Sequence, residues 1–260
     1  RDQRYDCIAC HPKRQDRVMI PYGRQSIDED DIRAVVDALR SDWLTTGPKI
    51  EEFEKAFADS CGVKHAVAVS NGTAALHCAM YAAGVGPGDE VLVPPMSFVA
   101  SANCILYVGA TPVFIDVRDK DLLIDPDKIE AFLHKGGNNV KGIIAVDYAG
   151  MPCDYDILRG ISDKYGLFLI ADACHAVGGF YKGYSVGSLA DMSTFSFHPV
   201  KNMTTGEGGM ITTDNDDYAA KLRMFRSHGL NADFRERIKS DSWFYEMVDI
   251  GWNYRITDFQ

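Results

Sequence analysis

Apolar residues follow two different spacings along this chain, one typical of buried strands and one of amphipathic helices. Short apolar runs predict seven strands, at residues 66–70, 90–93, 112–117, 142–146, 167–171, 192–197 and 209–213. Apolar residues three or four positions apart predict helices, at about residues 26–39, 48–57, 73–83, 97–107, 125–133, 155–165 and 214–227. The alternation predicts an α/β fold, with a mainly parallel seven-stranded sheet flanked by helices.

Local signals mark where the first helices begin. Ser26 and Glu29 have the spacing of a capping box, and Pro48 suits the first turn of the second helix. Residues 229–252 lack a clear period and include Trp243, Phe244, Tyr245 and Trp252. A loop this long in a compact domain is usually functional or part of an interface.

Composition narrows the class of protein. The 260 residues are 46% hydrophobic and 25% charged, which is ordinary for a globular domain. The net charge of −10 argues against nucleic acid or an anionic membrane as a partner. Seven scattered cysteines fit a reducing compartment, and no apolar run approaches the roughly 18 residues of a membrane-spanning helix. We therefore expect a cytoplasmic protein.

Residues 1–17 differ from the rest, with many charges and few apolar side chains. Cys7, Cys10 and His11 have the spacing of half a zinc site, but zinc normally takes four ligands and no second pair follows at suitable spacing. We expect residues 1–17 to be a flexible tail without metal. Residues 18–260 then form one large domain.

Two charged residues are candidates for chemistry. Asp172 ends an apolar strand, where a carboxylate is costly to bury unless it is paired. A protonated pyridine nitrogen would pair with it, but a helix cap or an internal Asp–Arg pair explains it equally well. Lys201 lies between a strand-like run and the glycine-rich residues 206–209. Most lysines are solvated, yet one held in a site forms Schiff bases.

A third candidate is the turn Ser70-Asn-Gly-Thr73, between a strand and a helix. Gly72 would let a phosphate approach the backbone, the helix start offers free N–H groups, and Thr73 adds a hydroxyl. A simple capped turn is the ordinary alternative. A lysine for an aldehyde, a carboxylate for a ring nitrogen and a phosphate cradle are together what pyridoxal phosphate requires of its protein.

Four further residues could each have either a ligand-binding role or a purely structural one. Ser196 would face a phosphate or lie on a half-buried strand, and Phe98 would stack on a flat ring or join the core. His175 would lie near the same ring or be an ordinary core histidine. Asn253 would serve a ligand or a subunit boundary.

Eight segments taken in order resemble the DegT/DnrJ/EryC1/StrS family of PLP-dependent nucleotide-sugar aminotransferases of fold type I. They are residues 70–77, 86–91, 97–103, 111–116, 171–176, 196–202, 206–209 and 252–258. The similarity extends over residues 18–260. Family members continue into a small C-terminal domain, so the resemblance implies that this domain is missing after Gln260.

The resemblance implies roles for the matching positions. Lys201 would bind the cofactor covalently and move protons, and Asp172 would pair with the pyridine nitrogen. Phosphate contacts would come from Gly72, Thr73 and Ser196. Phe98 would stack on the ring and His175 would lie beside it. Asn253 would reach the phosphate of the neighbouring subunit, which implies a homodimer with shared active sites.

The resemblance also implies the substrates, glutamate as amino donor and a nucleotide-linked keto sugar as acceptor. Residues 20–22, 41–48 and 149–154 are most similar to the branch that aminates C4 of UDP-linked 4-keto-6-deoxy sugars. Two alternatives stay open. One is an aminotransferase for another keto sugar, of the GDP-perosamine type or a 3-keto sugar. The other is a catalytically silent fragment that binds PLP and dimerises.

Overall fold

The computed structural model describes residues 21, 23–137, 139–231, 241 and 243–260. The expected tail at residues 1–17, with Cys7, Cys10 and His11, lies outside the described residues. So do residues 20 and 22 of the first branch-like segment.

A seven-stranded sheet forms the centre of the molecule. Its strands are β1 (His65–Val69), β2 (Glu90–Val93), β3 (Thr111–Phe114), β4 (Val140–Val146), β5 (Phe168–Asp172), β8 (Met192–Ser196) and β9 (Gly209–Thr213). A separate hairpin consists of β6 (Phe180–Tyr181) and β7 (Tyr184–Ser185). The strand order is β1-β9-β8-β5-β4-β2-β3, and only β9 runs antiparallel to its neighbours. The predicted mainly parallel seven-stranded sheet is therefore confirmed.

The described part of the chain contains seven helices. They are α1 (Glu29–Arg40), α2 (Pro48–Cys61), α3 (Gly72–Ala82), α4 (Ala100–Tyr107), α5 (Pro126–His134), α6 (Tyr155–Tyr165) and α7 (Asp216–Arg226). Of these, α2 to α7 contribute to the apolar clusters against the sheet and form one layer on each of its faces. Successive residues of β4 point to opposite faces, so Ile144 packs with α3, α4 and α7 whereas Ile143 packs with α5 and α6. A third apolar cluster lies between α2 and the β1–β9–β8 end of the sheet. No helix among the described residues has the length and apolar content to cross a membrane.

Two predicted helix starts were wrong. The capping box of α1 is formed by Asp28 and Asp31 rather than by Ser26 and Glu29. The Asp28 carboxylate accepts the N–H of Asp31 and the Asp31 carboxylate accepts that of Asp28, both at 3.0 Å, which satisfies two otherwise free donors. The helix predicted from residue 97 begins only at Ala100, so Phe98 precedes it.

The apolar stripe predicted on α1 is exposed. Ile32, Val35 and Leu39 are 47%, 40% and 53% exposed. The pattern thus predicts the helix correctly, but the described residues do not bury its apolar face.

Candidate active site

The candidate site lies at one edge of the sheet, where β1, β8, β5 and β4 end. These four strands run in the same direction, so the residues at their carboxyl ends lie side by side. In open α/β sheets this edge is the usual place for a ligand.

Asp172, the last residue of β5, is a buried carboxylate whose two oxygens both accept hydrogen bonds. Its Oδ2 accepts from the Ser101 hydroxyl at 2.5 Å and its Oδ1 from the Cys174 backbone N–H at 3.3 Å. The Ser97 hydroxyl lies 2.5 Å from that of Ser101. No arginine or lysine of the described chain forms an ion pair with Asp172, so the Asp–Arg alternative is not what the structure shows. The carboxylate is held by neutral donors and remains able to pair with a cation.

A second buried carboxyl, Asp147, directly follows β4. Its backbone N–H donates to the carbonyl oxygen of Asp172 at 3.1 Å. Its Oδ1 accepts from the Cys153 N–H and the Tyr155 hydroxyl, both at 2.9 Å. Its Oδ2 is buried without a hydrogen-bond partner among the described residues. Burial raises the pKa of Asp147 to about 7, and the charge of Asp172 contributes to the rise.

The predicted phosphate cradle lies at the start of α3. Asn71 caps this helix, its side chain accepting the Ala74 N–H at 2.8 Å, and Gly72 is the first helical residue. A Cβ at Gly72 would lie 2.8 Å from Cβ of Ser196 and 3.2 Å from Sγ of Cys174. Glycine is required by this close approach, which brings the end of β8 against the helix start.

Thr73 and Gly209 complete this part of the site. Thr73 is the second residue of α3, where backbone N–H groups lack helical acceptors and the helix dipole favours an anion. A Cβ at Gly209 would lie 2.5 Å from the carbonyl oxygen of Asn71. The glycine-rich turn therefore lets β9 pass directly behind the cradle.

Lys201 follows β8 by five residues and is half-buried. Its side-chain amine forms no hydrogen bond or ion pair with any residue that the structure describes. Burial lowers the pKa of His175, and the positive charge of Lys201 lowers it further. Burial and Asp172 raise the pKa of the Cys174 thiol, whereas Lys201 opposes that rise. Lys201 thus lies within electrostatic range of the residues that immediately follow Asp172.

His175 is fixed from the neighbouring turn. Its Nδ1 lies 3.3 Å from the Ala149 backbone N–H, and its ring packs edge-on against Tyr148. Ala149 has a φ of 54°, and a Cβ at Gly150 would lie 3.0 Å from the carbonyl oxygen of His175. The 3₁₀ turn Tyr148–Gly150 is therefore shaped closely around this histidine.

Phe98 and Asn253 lie apart from these contacts. Phe98 is 70% exposed, so its expected alternative as a core residue is wrong. Asn253 is exposed, and the carbonyl of the next residue, Tyr254, accepts the Ser70 N–H at 2.8 Å. Within the described residues, no hydrogen bond, ion pair or ring contact connects either side chain to Asp172 or Lys201.

Sequence reasoning missed Ser101, Cys174 and Asp147. Ser101 and Cys174 fall within segments that carry the family resemblance, but nothing local assigns them to Asp172 or Gly72. The position of Asp147 could have been recognised from the sequence, because it directly follows one apolar strand and Asp172 ends the next. An aspartate at the end of each of two neighbouring parallel strands is a pattern that predicts proximity.

Comparison with known proteins decides the family. The model of the DegT/DnrJ/EryC1/StrS aminotransferase family matches residues 25–260. The chain belongs to this family. It is 43% identical over 242 residues to the spore coat polysaccharide biosynthesis protein SpsC of Bacillus subtilis, which covers 93% of the chain and 61% of SpsC.

Solved structures of family members have the same fold. Spr1654 from Streptococcus pneumoniae in its PLP form matches with a TM-score of 0.84 and 35% identity, over 92% of this chain and 64% of that one. Helicobacter pylori PseC, an aminotransferase involved in the biosynthesis of pseudoaminic acid, matches with a TM-score of 0.82 and 34% identity, over 92% and 62%. The fold is that of type I PLP aminotransferases. The chain spans less than two thirds of the length of each of these relatives.

Proposed function

We propose that the protein is a PLP-dependent aminotransferase that moves an amino group from glutamate to a nucleotide-linked 4-keto-6-deoxy sugar. The observation that carries this proposal is that Lys201 lies within electrostatic range of Cys174 and His175, the residues that follow Asp172 at the carboxyl end of β5. Asp172 is a buried carboxylate without a cation, and the Lys201 amine has no hydrogen bond or ion pair within the described residues.

The residues present fit pyridoxal phosphate. Asp172 would supply the anion that a protonated pyridine nitrogen needs, and two neutral donors hold its carboxylate in place. Gly72 leaves the backbone of the α3 start free of a side chain, and Thr73 and Ser196 add hydroxyls for the phosphate group. Bound pyridoxal phosphate supplies an aldehyde that takes up the amino group and a ring that withdraws electrons from the reacting carbon.

This chain's own residues do the rest. Lys201 would hold the cofactor through its amine and would serve as the acid and base that moves the proton of the amino donor. Asp172 would keep the proton on the ring nitrogen, and Ser101 holds the Asp172 carboxylate in place through its hydroxyl. Phe98, whose side chain is exposed, would stack on the ring, and His175 would lie beside it.

The working unit of this proposal is a homodimer. Asn253 would contact the phosphate of the neighbouring subunit, which fits its exposure. Large apolar side chains just before it are also exposed, namely Trp243, Met247 and Ile250, at 85%, 69% and 74%. A second copy of the chain would cover them.

For the acceptor, we infer a UDP-linked sugar of the kind handled by UDP-4-amino-4,6-dideoxy-N-acetyl-β-L-altrosamine transaminase. The resemblance of residues 41–48 and 149–154 to that branch supports this choice, as does the similarity to PseC. An aminotransferase for another keto sugar, of the GDP-perosamine type or with a 3-keto group, is the second candidate. The sequence similarity to SpsC supports a role in polysaccharide biosynthesis more generally.

Product analysis of the full-length protein tests the proposal. The protein is incubated with pyridoxal phosphate, glutamate and a panel of nucleotide-linked keto sugars, and the products are identified by mass spectrometry. We expect an aminated UDP sugar, and no product from Lys201→Ala. Lys120→Ala, at an exposed position, is the matched control and should retain full turnover. Cofactor binding by the unaltered protein without an amino-group transfer from glutamate would favour the silent fragment instead.

A further inference from the structure

Two aspartates lie side by side at the ends of neighbouring parallel strands. Val146 of β4 pairs in register with Asp172 of β5, and Asp147 comes next. The backbone N–H of Asp147 donates to the carbonyl oxygen of Asp172 at 3.1 Å. The proposed function uses Asp172 and leaves Asp147 without a role.

The two carboxyl groups differ in their hydrogen bonds. Asp172 has a donor on each oxygen, the Ser101 hydroxyl on Oδ2 and the Cys174 backbone N–H on Oδ1. Asp147 has both of its donors on Oδ1, from Tyr155 and the Cys153 backbone. Its Oδ2 is buried, and no donor in the described part of the chain reaches it.

The surroundings of Asp147 disfavour a negative charge. The side chain is 0% exposed, and a buried charge without a partner is far more costly than a neutral carboxylic acid. The titratable groups that act on Asp147 are Tyr155 of α6, Cys153 of the preceding loop and Asp172 of β5, none of which is a cation. Arg118 and Asp121 act on the neighbouring Cys153. Burial raises the pKa of Asp147 to about 7, and the charge of Asp172 is an additional cause.

We propose that Asp147 is a positioning residue that works as a neutral carboxylic acid, so that the adjoining ends of β4 and β5 carry a single negative charge, on Asp172. The proton resides on Oδ2, which has no hydrogen-bond partner among the described residues, while Oδ1 accepts from the Tyr155 hydroxyl and the Cys153 N–H. Loss of this proton at alkaline pH places a second negative charge beside Asp172. The role toward the cofactor ring rests on the proposed function, whereas the protonation of Asp147 does not.

Protonation is tested on the cofactor-free, full-length protein. Infrared spectra are recorded from pH 5 to pH 9 for the unaltered protein, for Asp147→Asn and for Asp163→Asn, the exposed control. We expect a protonated-carboxyl band at pH 6 that disappears towards pH 9, is absent in Asp147→Asn and persists in Asp163→Asn. A band that survives in Asp147→Asn would overturn the proposal, as would its absence from the unaltered protein at pH 6.

A second measurement needs no variant at position 147. Carbon-13 NMR of protein labelled in its aspartate carboxyls should show one buried carboxyl that titrates near neutral pH. Tyr155→Phe removes one donor from Oδ1 and should shift this titration to higher pH, since a bond to the charged form is lost. If every aspartate titrated within its ordinary acidic range, the proposal would be overturned even where Asp147→Asn failed to fold.

The link to Asp172 has its own readout in the cofactor-loaded protein. Asp147→Asn keeps the side chain at position 147 neutral at all pH values. The cofactor absorption spectrum of Asp147→Asn should therefore lose the part of its pH dependence between pH 6 and pH 8 that the unaltered protein shows. Identical pH profiles in the two proteins would overturn the link. Failure of the protein to transaminate any sugar, with these profiles as expected, would count against the proposed function alone.

Discussion

The hydroxyl of Ser101 lies 2.5 Å from Oδ2 of Asp172, across a sequence separation of 71 residues. Ser101 belongs to α4 and is completely buried, so the bond joins the helix layer to the end of β5. Ser97 in turn lies 2.5 Å from Ser101, which makes a short chain of hydroxyls that ends at the carboxylate. This arrangement fixes the orientation of the Asp172 carboxylate through neutral donors.

Ser101→Ala should weaken cofactor binding. The substitution leaves Oδ2 of Asp172 without its donor, and a hydrogen bond to a charged group contributes about 1.5–3 kcal/mol. We expect a roughly tenfold to hundredfold loss of affinity for pyridoxal phosphate, measured by titration of the cofactor-free protein. Ser97→Ala is the control, because it removes only the outer hydroxyl. Equal losses in the two variants would contradict the role given to Ser101.

Asp147→Asn should change how stability depends on pH. The folded-state pKa of Asp147 is about 7, above its value in the unfolded protein. Between about pH 4 and pH 7 the folded protein therefore keeps this proton whereas the unfolded protein loses it. This contribution is fully present below pH 4 and is lost as the pH rises through 7. Since one pKa unit corresponds to about 1.4 kcal/mol, the loss amounts to a few kcal/mol. Urea unfolding at pH 5 and pH 8 measures it, and Asp147→Asn should show a smaller difference between the two than Asp163→Asn.

Gly72→Ala should damage the phosphate cradle. The added methyl group would lie 2.8 Å from Cβ of Ser196 and 3.2 Å from Sγ of Cys174, which forces the start of α3 away from β8. Overpacking of this kind destabilises a protein by about 1–3 kcal/mol. We expect Gly72→Ala to lower the melting temperature of the protein. We also expect it to lower the affinity for pyridoxal phosphate by more than the loss of stability alone would explain.

Gly160 provides the matched control for that substitution. It lies within α6, and a Cβ there would meet no atom within 4 Å. Gly160→Ala should therefore raise stability by about 0.5–1 kcal/mol and leave cofactor affinity unchanged. A loss of cofactor affinity in Gly160→Ala as large as in Gly72→Ala would show that the cradle geometry is not the cause.

Asp258→Ala should release the start of α2. The Asp258 carboxylate accepts the N–H groups of Gly47 and Lys49 at 2.8 and 3.2 Å, and so caps a helix more than 200 residues away in sequence. Loss of a helix cap reduces stability by about 0.5–2 kcal/mol, which thermal unfolding measures. Asp258→Asn retains acceptor capacity and should lose less. If the alanine variant were as stable as the unaltered protein, the cap would be irrelevant to stability.

The sheet and its flanking helices were predictable because each depends on a local apolar pattern. The run ending at Asp172 and the turn before Thr73 lie at the same sheet edge, as the rule for parallel strands predicts. The start of α1 was misplaced because Ser26, Asp28 and Glu29 all favour a helix start, and only the reciprocal bonds with Asp31 choose between them.

Contacts between distant elements were not predictable. Nothing near Ser101 in the sequence indicates Asp172, and nothing near Asp258 indicates the loop at Gly47. The apolar stripe of α1 shows a different limit, since a periodic pattern predicts a helix but not what covers it. The roles of Phe98 and Asn253 depend on a cofactor and on a second subunit, so they stay predictions.

Chemical trapping at Lys201 tests the central claim most directly. The full-length protein is mixed with pyridoxal phosphate, reduced with borohydride, digested and mapped by mass spectrometry, with Lys201→Ala treated in parallel. The account predicts a phosphopyridoxyl group on Lys201 and none in the matching peptide of the variant. Stoichiometric labelling of another lysine, with Lys201 unmodified, would contradict it.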